Sequence, residues 1–164
     1  LIEIGPKLLE SPNDYDLQAN FMWTATLALN GLIGAGVPQD WATHMIGHEI
    51  TALHGLDHAQ TLAILLPTVL QEQREKKSAK LLQYAERVWG LNEGTDDTKI
   101  NMAITKTRDF FERMGVKTHL SDYQINADAI PVMIKQLAEH GLTQLGEHND
   151  IDLKKSQQIL QASL

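Results

Sequence analysis

Trp41-Ala42-Thr43-His44-Met45-Ile46-Gly47-His48-Glu49-Ile50-Thr51-Ala52-Leu53-His54-Gly55-Leu56-Asp57-His58 reads as helix, turn, helix. A helical stretch from Trp41 to Leu53 is stopped at Gly55, and Asp57 is placed to cap the next helix, from His58 to about Lys77, with Pro67 bending it. Four of the seven histidines fall in this window. His44 and His48 are four apart, so on a helix they share a face and approach a common point. His58 lies beyond the glycine turn, where the reversed chain brings side chains 14 positions apart back together.

Working outward, the same helical periodicity extends over the whole chain. Ser11-Pro12-Asn13-Asp14 offers an N-cap serine with proline at the first helical position. Leu17, Phe21, Ala25, Ala28 and Leu32 then recur every three or four residues until Gly36-Val37-Pro38. A short helix over Glu3 to Glu10 precedes them. Ser78 to Trp89, a helix opened by Thr95-Asp96-Asp97 and ending at Gly115, Ala127 to Ala138, and Asp152 to Leu160 complete the series. No segment alternates apolar and polar residues for long enough to make a strand. The expected fold is all-α, a single domain over residues 1–164 built as a multi-helix bundle of about seven helices.

Composition narrows the function. Apolar residues make up 43% of 164, enough for a packed core. The absence of cysteine removes disulfides, thiolate metal sites and thiol catalysis. A formal net charge of −7 argues against nucleic acid, which needs a Lys/Arg surface to displace phosphate counterions. The basic run Arg74 to Lys80 is interrupted by Glu75 and reads as a solvated helix face. The longest strongly apolar run, Leu62 to Leu70, is far short of the roughly 20 residues that cross a bilayer, and no signal peptide opens the chain at Leu1. A soluble protein without nucleic-acid or membrane partners is expected.

The chemistry therefore rests on the histidines. Neutral imidazole ligates Fe²⁺, Zn²⁺, Cu²⁺ or Ni²⁺ without help from thiolates. His48-Glu49 begins H-E-x-x-H, but Ala52 stands at the fifth position, so the zinc-protease helix is absent. No Glu-x-x-His occurs, which removes the di-iron carboxylate bundle. No G-x-G-x-x-G, P-loop or G-x-S-x-G is present. His119, His140 and His148 sit beside turn residues and read as surface histidines.

Asn30-Gly31-Leu32-Ile33-Gly34-Ala35-Gly36, Thr43-His44-Met45-Ile46-Gly47-His48-Glu49, and Asp57-His58 with Leu65-Leu66-Pro67 resemble the C-terminal half of the iron-dependent (group III) alcohol dehydrogenases. The nearest branch is the NADP-dependent butanol dehydrogenase/aldehyde reductase type. That resemblance implies a dehydroquinate synthase-like helical domain holding Fe²⁺ or Zn²⁺, beside a Rossmann-like domain that binds NADP(H). It implies His44 and His58 as metal ligands, with His48 catalytic and beside the nicotinamide. His54 has no fixed role there. The family's remaining ligands lie on a D-A-x-x-H helix, and neither that pattern nor the dinucleotide loop is found here. The chain is thus expected to be a C-terminal fragment, with an incomplete metal site and no activity alone, of a cytoplasmic, homo-oligomeric enzyme acting on a small alcohol or aldehyde. A non-enzymatic helical metal- or protein-binding module, and a glycerol dehydrogenase or dehydroquinate synthase relative, are the alternatives.

Overall fold

The computed structural model describes residues 1–164, and it is all-α. Its helices are α1 (Gly5–Glu10), α2 (Tyr15–Leu29), α3 (Ala42–His54), α4 (His58–Glu72), α5 (Ser78–Trp89), α6 (Asp96–Arg113), α7 (Ile130–Glu139) and α8 (Leu153–Ala162). Short 3₁₀ turns occupy Leu32–Gly34, Leu120–Tyr123 and Ala127–Ala129. The one departure from helix and loop is a two-residue antiparallel pair, Gln144–Leu145 with Ile151–Asp152. No helix is long and apolar enough to cross a membrane.

The core forms where α3 packs on α4 and α7, and α4 on α6 and α8. Ile46 and Ile50 of α3, Ile64 and Leu65 of α4, Met133 and Leu137 of α7, and Ile159 and Leu160 of α8 are fully buried in it. A smaller cluster, Leu81, Ile100 and Ile104, seals α5 onto α6. The centre of the bundle is therefore the α3–α4 pair, the two helices that carry His44, His48 and His58.

Local chemistry sets the ends of these helices. Gly55 closes α3 with φ +70°, its N–H donating to the Thr51 carbonyl at 2.9 Å; a residue with Cβ is strained in that conformation. Asp57 caps α4, and its backbone N–H donates to Gln60 Oε1 at 2.9 Å, half of a capping box. Thr95 and Asp152 cap α6 and α8 by accepting from Thr98 and Lys155 backbone N–H groups.

Three sequence expectations need correction. Ser11-Pro12-Asn13-Asp14 is a turn, closed by the Asp14 N–H on the Ser11 carbonyl, and the N-cap of α2 is Asp14, whose carboxylate accepts from Leu17 N–H at 3.0 Å. Helix α2 stops at Leu29 rather than running on to Gly36, because Gly31 turns at φ +84° and the Asn30 side chain accepts from Leu32 N–H. The basic run does not form one helix face: its first half is the turn between α4 and α5. There Arg74 pairs with Asp97, Lys76 with Asp150 at 2.8 Å, and Lys77 with Asp40 and Glu147. In addition, the apolar residues of α2 do not enter the core. None of its residues is buried, and it touches chiefly α1 and the 3₁₀ turn that follows it.

Candidate functional site

His44 and His48 stand one turn apart on α3, and His58 is the first residue of α4. The ring centroids of His44 and His58 are 5.1 Å apart, and those of His48 and His58 are 5.7 Å apart. Trp41 packs beside them, its ring T-shaped to that of His44 with centroids 4.9 Å apart. The reversal at Gly55 thus brings together three of the four clustered histidines, as their spacing predicts. His54, in the last turn of α3, is exposed and makes no ring contact with the other three.

Gly47 makes this convergence possible. It is buried, and a Cβ there would lie 2.9 Å from Thr61 Oγ1 and 3.2 Å from Thr61 Cβ. With no side chain between them, α3 and α4 cross in close contact, and the imidazoles on either side of Gly47 reach that of His58.

The electrostatics disfavour the charged form of His44. Burial, reinforced by the nearby His58 and His48 imidazoles, holds its pKa below the usual histidine value. The ring nitrogens of His44, His48 and His58 carry no hydrogen bond from the protein. By contrast, His140 Nδ1 is tied to Glu49 Oε1 at 2.8 Å. A neutral imidazole with an unoccupied lone pair is the form that binds a metal ion or accepts a proton.

Two supporting arrangements escape sequence reasoning. Asp40 accepts from the Ala42 N–H at 2.7 Å, at the mouth of α3, while its other oxygen lies 2.9 Å from Lys77 Nζ. Burial alone would raise the Asp40 carboxyl, but Lys77 and the Ala42 N–H outweigh it and leave the pKa lowered. Lys77 also meets Glu147, and these carboxylates raise its own pKa against the effect of burial. The other arrangement is Glu49, which is 3% exposed and bonded to His140, the residue that ends α7, 91 residues further on. His140 remains mostly exposed, as its turn setting suggests, but it serves a buried carboxylate.

No set of three His, Asp or Glu side chains is arranged to hold an ion. The 5.1 Å between the His44 and His58 ring centroids is close to the separation of two imidazoles that share one ion. Two imidazoles bound at the usual metal–nitrogen distance of about 2.0–2.1 Å and near-tetrahedral angle have ring centroids roughly 5 Å apart.

Comparison with known proteins identifies the family. The C-terminal model of the Fe-containing alcohol dehydrogenase family matches residues 1–164. The chain is 64% identical over 163 residues to the NADPH-dependent aldehyde reductase YqhD of Escherichia coli, covering 99% of this chain and 42% of that protein. It is 34% identical to NADP-dependent alcohol dehydrogenase 3 of Entamoeba histolytica, over 98% of this chain and 40% of the relative. The crystal structure of E. coli YqhD superposes with a TM-score of 0.98 at 63% identity, over 99% of this chain and 42% of that one. The NADH-dependent butanol dehydrogenase A of Thermotoga maritima superposes with a TM-score of 0.90 at 26% identity, over 99% and 42%.

The chain belongs to the iron-containing alcohol dehydrogenase family and corresponds to its C-terminal part. It spans about two-fifths of the length of the curated relatives it matches.

Proposed function

We propose that the chain is the metal-side helical domain of an NADP-dependent alcohol dehydrogenase or aldehyde reductase, which moves hydride between a nicotinamide and a primary alcohol or aldehyde. The observation that carries this reading is the convergence of His44, His48 and His58 across Gly55. NADP rather than NAD is favoured because the 64% identical relative is NADPH-dependent, whereas the NADH-dependent butanol dehydrogenases of Clostridium acetobutylicum are 30% and 31% identical. The dinucleotide loop and the remaining metal ligands belong to an N-terminal domain of the longer protein.

In this reading His44 and His58 are the residues that hold the ion, and a bound Fe²⁺ or Zn²⁺ supplies Lewis-acid polarisation of the substrate oxygen. His44 contributes a neutral lone pair because its charged form is disfavoured by burial. His48, one turn along the same face, is positioned to hand a proton to the reduced oxygen, or to take one from the alcohol in the reverse direction. Trp41 packs against the His44 ring and so helps to fix its orientation.

Zinc titration of the chain, followed through its imidazole NMR signals, tests the ligand assignment. His44 and His58 shift together, with binding weak enough to be lost on dialysis, since two imidazoles fill half of a four-coordinate sphere. Zinc-dependent shifts confined to His54 or His119 refute the assignment. The activity is tested with the longer protein: NADPH oxidation by butanal is abolished by His44→Ala and by His58→Ala, while His54→Ala retains it.

A further inference from the structure

A cleft of about 650 Å³ opens between the segment leading into α3, the second half of α4, and α5. Small-molecule sites typically measure roughly 300–1,000 Å³. None of the histidines of α3 or α4 lines this cleft. Its floor is Leu66, Val69 and Leu70 of α4 with Leu81, Tyr84 and Val88 of α5. The Tyr84 hydroxyl is engaged by Thr107 Oγ1 at 2.6 Å, which leaves the apolar body of the ring to the cleft.

The charges around this floor are unevenly distributed. Both carboxylates of the lining, Asp40 and Glu147, are held by the single Lys77, so that end keeps one net negative charge and no carboxylate of the lining is left to pair with another cation. Lys80 and Arg87 also line the cleft, seven residues apart and therefore on one face of α5. Both are exposed, and neither takes part in an ion pair; the Lys80 ammonium donates only to Gln83 Oε1 at 3.2 Å. On a chain with net charge −7, two uncompensated cations beside an apolar trough make a local positive rim.

We infer that this cleft binds an anionic amphiphile, an unbranched aliphatic chain with a carboxylate head of the fatty-acid kind. The trough removes the tail from water. The head lies at the rim, where the Arg87 guanidinium offers two parallel donors to a carboxylate and Lys80 adds a second charge. A neutral chain of equal length lacks the rim contact, and a short carboxylate lacks the trough. The site is separate from the histidine cluster and needs neither metal nor nicotinamide.

The test is a titration of the chain with dodecanoate below its micelle concentration, following Leu and Val methyl resonances, with dodecanol and acetate as comparators. One-site saturation is expected at Leu66, Val69, Leu70 and Val88, about tenfold or more tighter for dodecanoate than for either comparator. The double variant Lys80→Gln/Arg87→Gln melts like the parent, because both side chains lie outside the core, and it loses about tenfold in dodecanoate affinity. Shifts confined to Leu29, Leu32 and Ile33, equal affinity for dodecanol and dodecanoate, or an unchanged double variant would each overturn the inference.

Discussion

Gly47 and Thr61 meet so closely that a single methyl group on Gly47 would come within 2.9 Å of Thr61 Oγ1. The threonine cannot easily turn aside, because its hydroxyl donates to the His58 carbonyl at 2.9 Å. The contact joins the turn of α3 between His44 and His48 to the first turn of α4, where His58 sits. Packing and candidate site are therefore coupled at one point.

Gly47→Ala is accordingly expected to destabilise the chain despite alanine's better helix propensity. That propensity favours alanine by about 0.5–1 kcal/mol, whereas overpacking a fixed contact costs about 1–3 kcal/mol. Thermal melts should show a net loss, and zinc-induced coupling of the His44 and His58 signals should weaken with it. Adding Thr61→Ala to Gly47→Ala should recover part of both. A Gly47→Ala variant as stable as the parent would show that α4 yields at this contact.

The helix order and the histidine convergence are legible in the sequence because both depend on local signals. Glycine at a positive-φ turn, a capping acid and i, i+4 spacing act within a few residues. What escapes is long-range. Glu49 reads only as a failed H-E-x-x-H, and nothing nearby announces that His140 will cover it. Lys77 sits in a run that suggests solvent, yet two carboxylates remote in sequence, Asp40 and Glu147, draw it in. Ser11 and Asp14 show the limit even of local reading: both can cap, and the turn at Pro12 decides for Asp14.

The Glu49–His140 pair gives a second prediction. Glu49 Oε2 is buried without a hydrogen-bond partner, so Oε1 and its His140 contact carry the side chain's local satisfaction. His140→Ala leaves the whole carboxylate unpaired and should cost about 1–3 kcal/mol in denaturant unfolding. Glu49→Gln, which removes the charge and keeps the shape, should cost less than His140→Ala. The reverse order would mean that the ion pair, rather than the buried carboxylate's need for a partner, dominates.

The lowered pKa of His44 has a definite sign in stability. Its folded value lies below the unfolded one, near 6.5, so in the interval between them the unfolded chain binds more protons and stability rises with pH. The contribution is fully present above the unfolded value and is lost as pH falls through the folded value. Melting temperatures compared between about pH 7.5 and 5 should therefore fall less in His44→Gln than in the parent. Equal slopes would remove His44 as a source of the acid sensitivity.

Helix α2 carries the strongest expectation about association. Its apolar residues Leu17, Phe21, Met22, Trp23, Leu27 and Leu29 point in every direction around the axis, a pattern that suits a helix enclosed on all sides. Here Met22 is 67%, Trp23 64%, Leu29 86% and Ile33 72% exposed. Contiguous apolar patches beyond a few hundred Å² are uncommon on soluble monomers and tend to acquire partners. The chain should therefore self-associate through α2 and the following 3₁₀ turn, with light-scattering mass rising with concentration and Trp23 emission moving to the blue. Trp23→Lys with Leu29→Lys should restore a monomer at little cost in melting temperature, since neither side chain contributes to the core. A parent chain that stays monomeric at every concentration, with Trp23 emission typical of water, would show that this surface tolerates solvent without a partner.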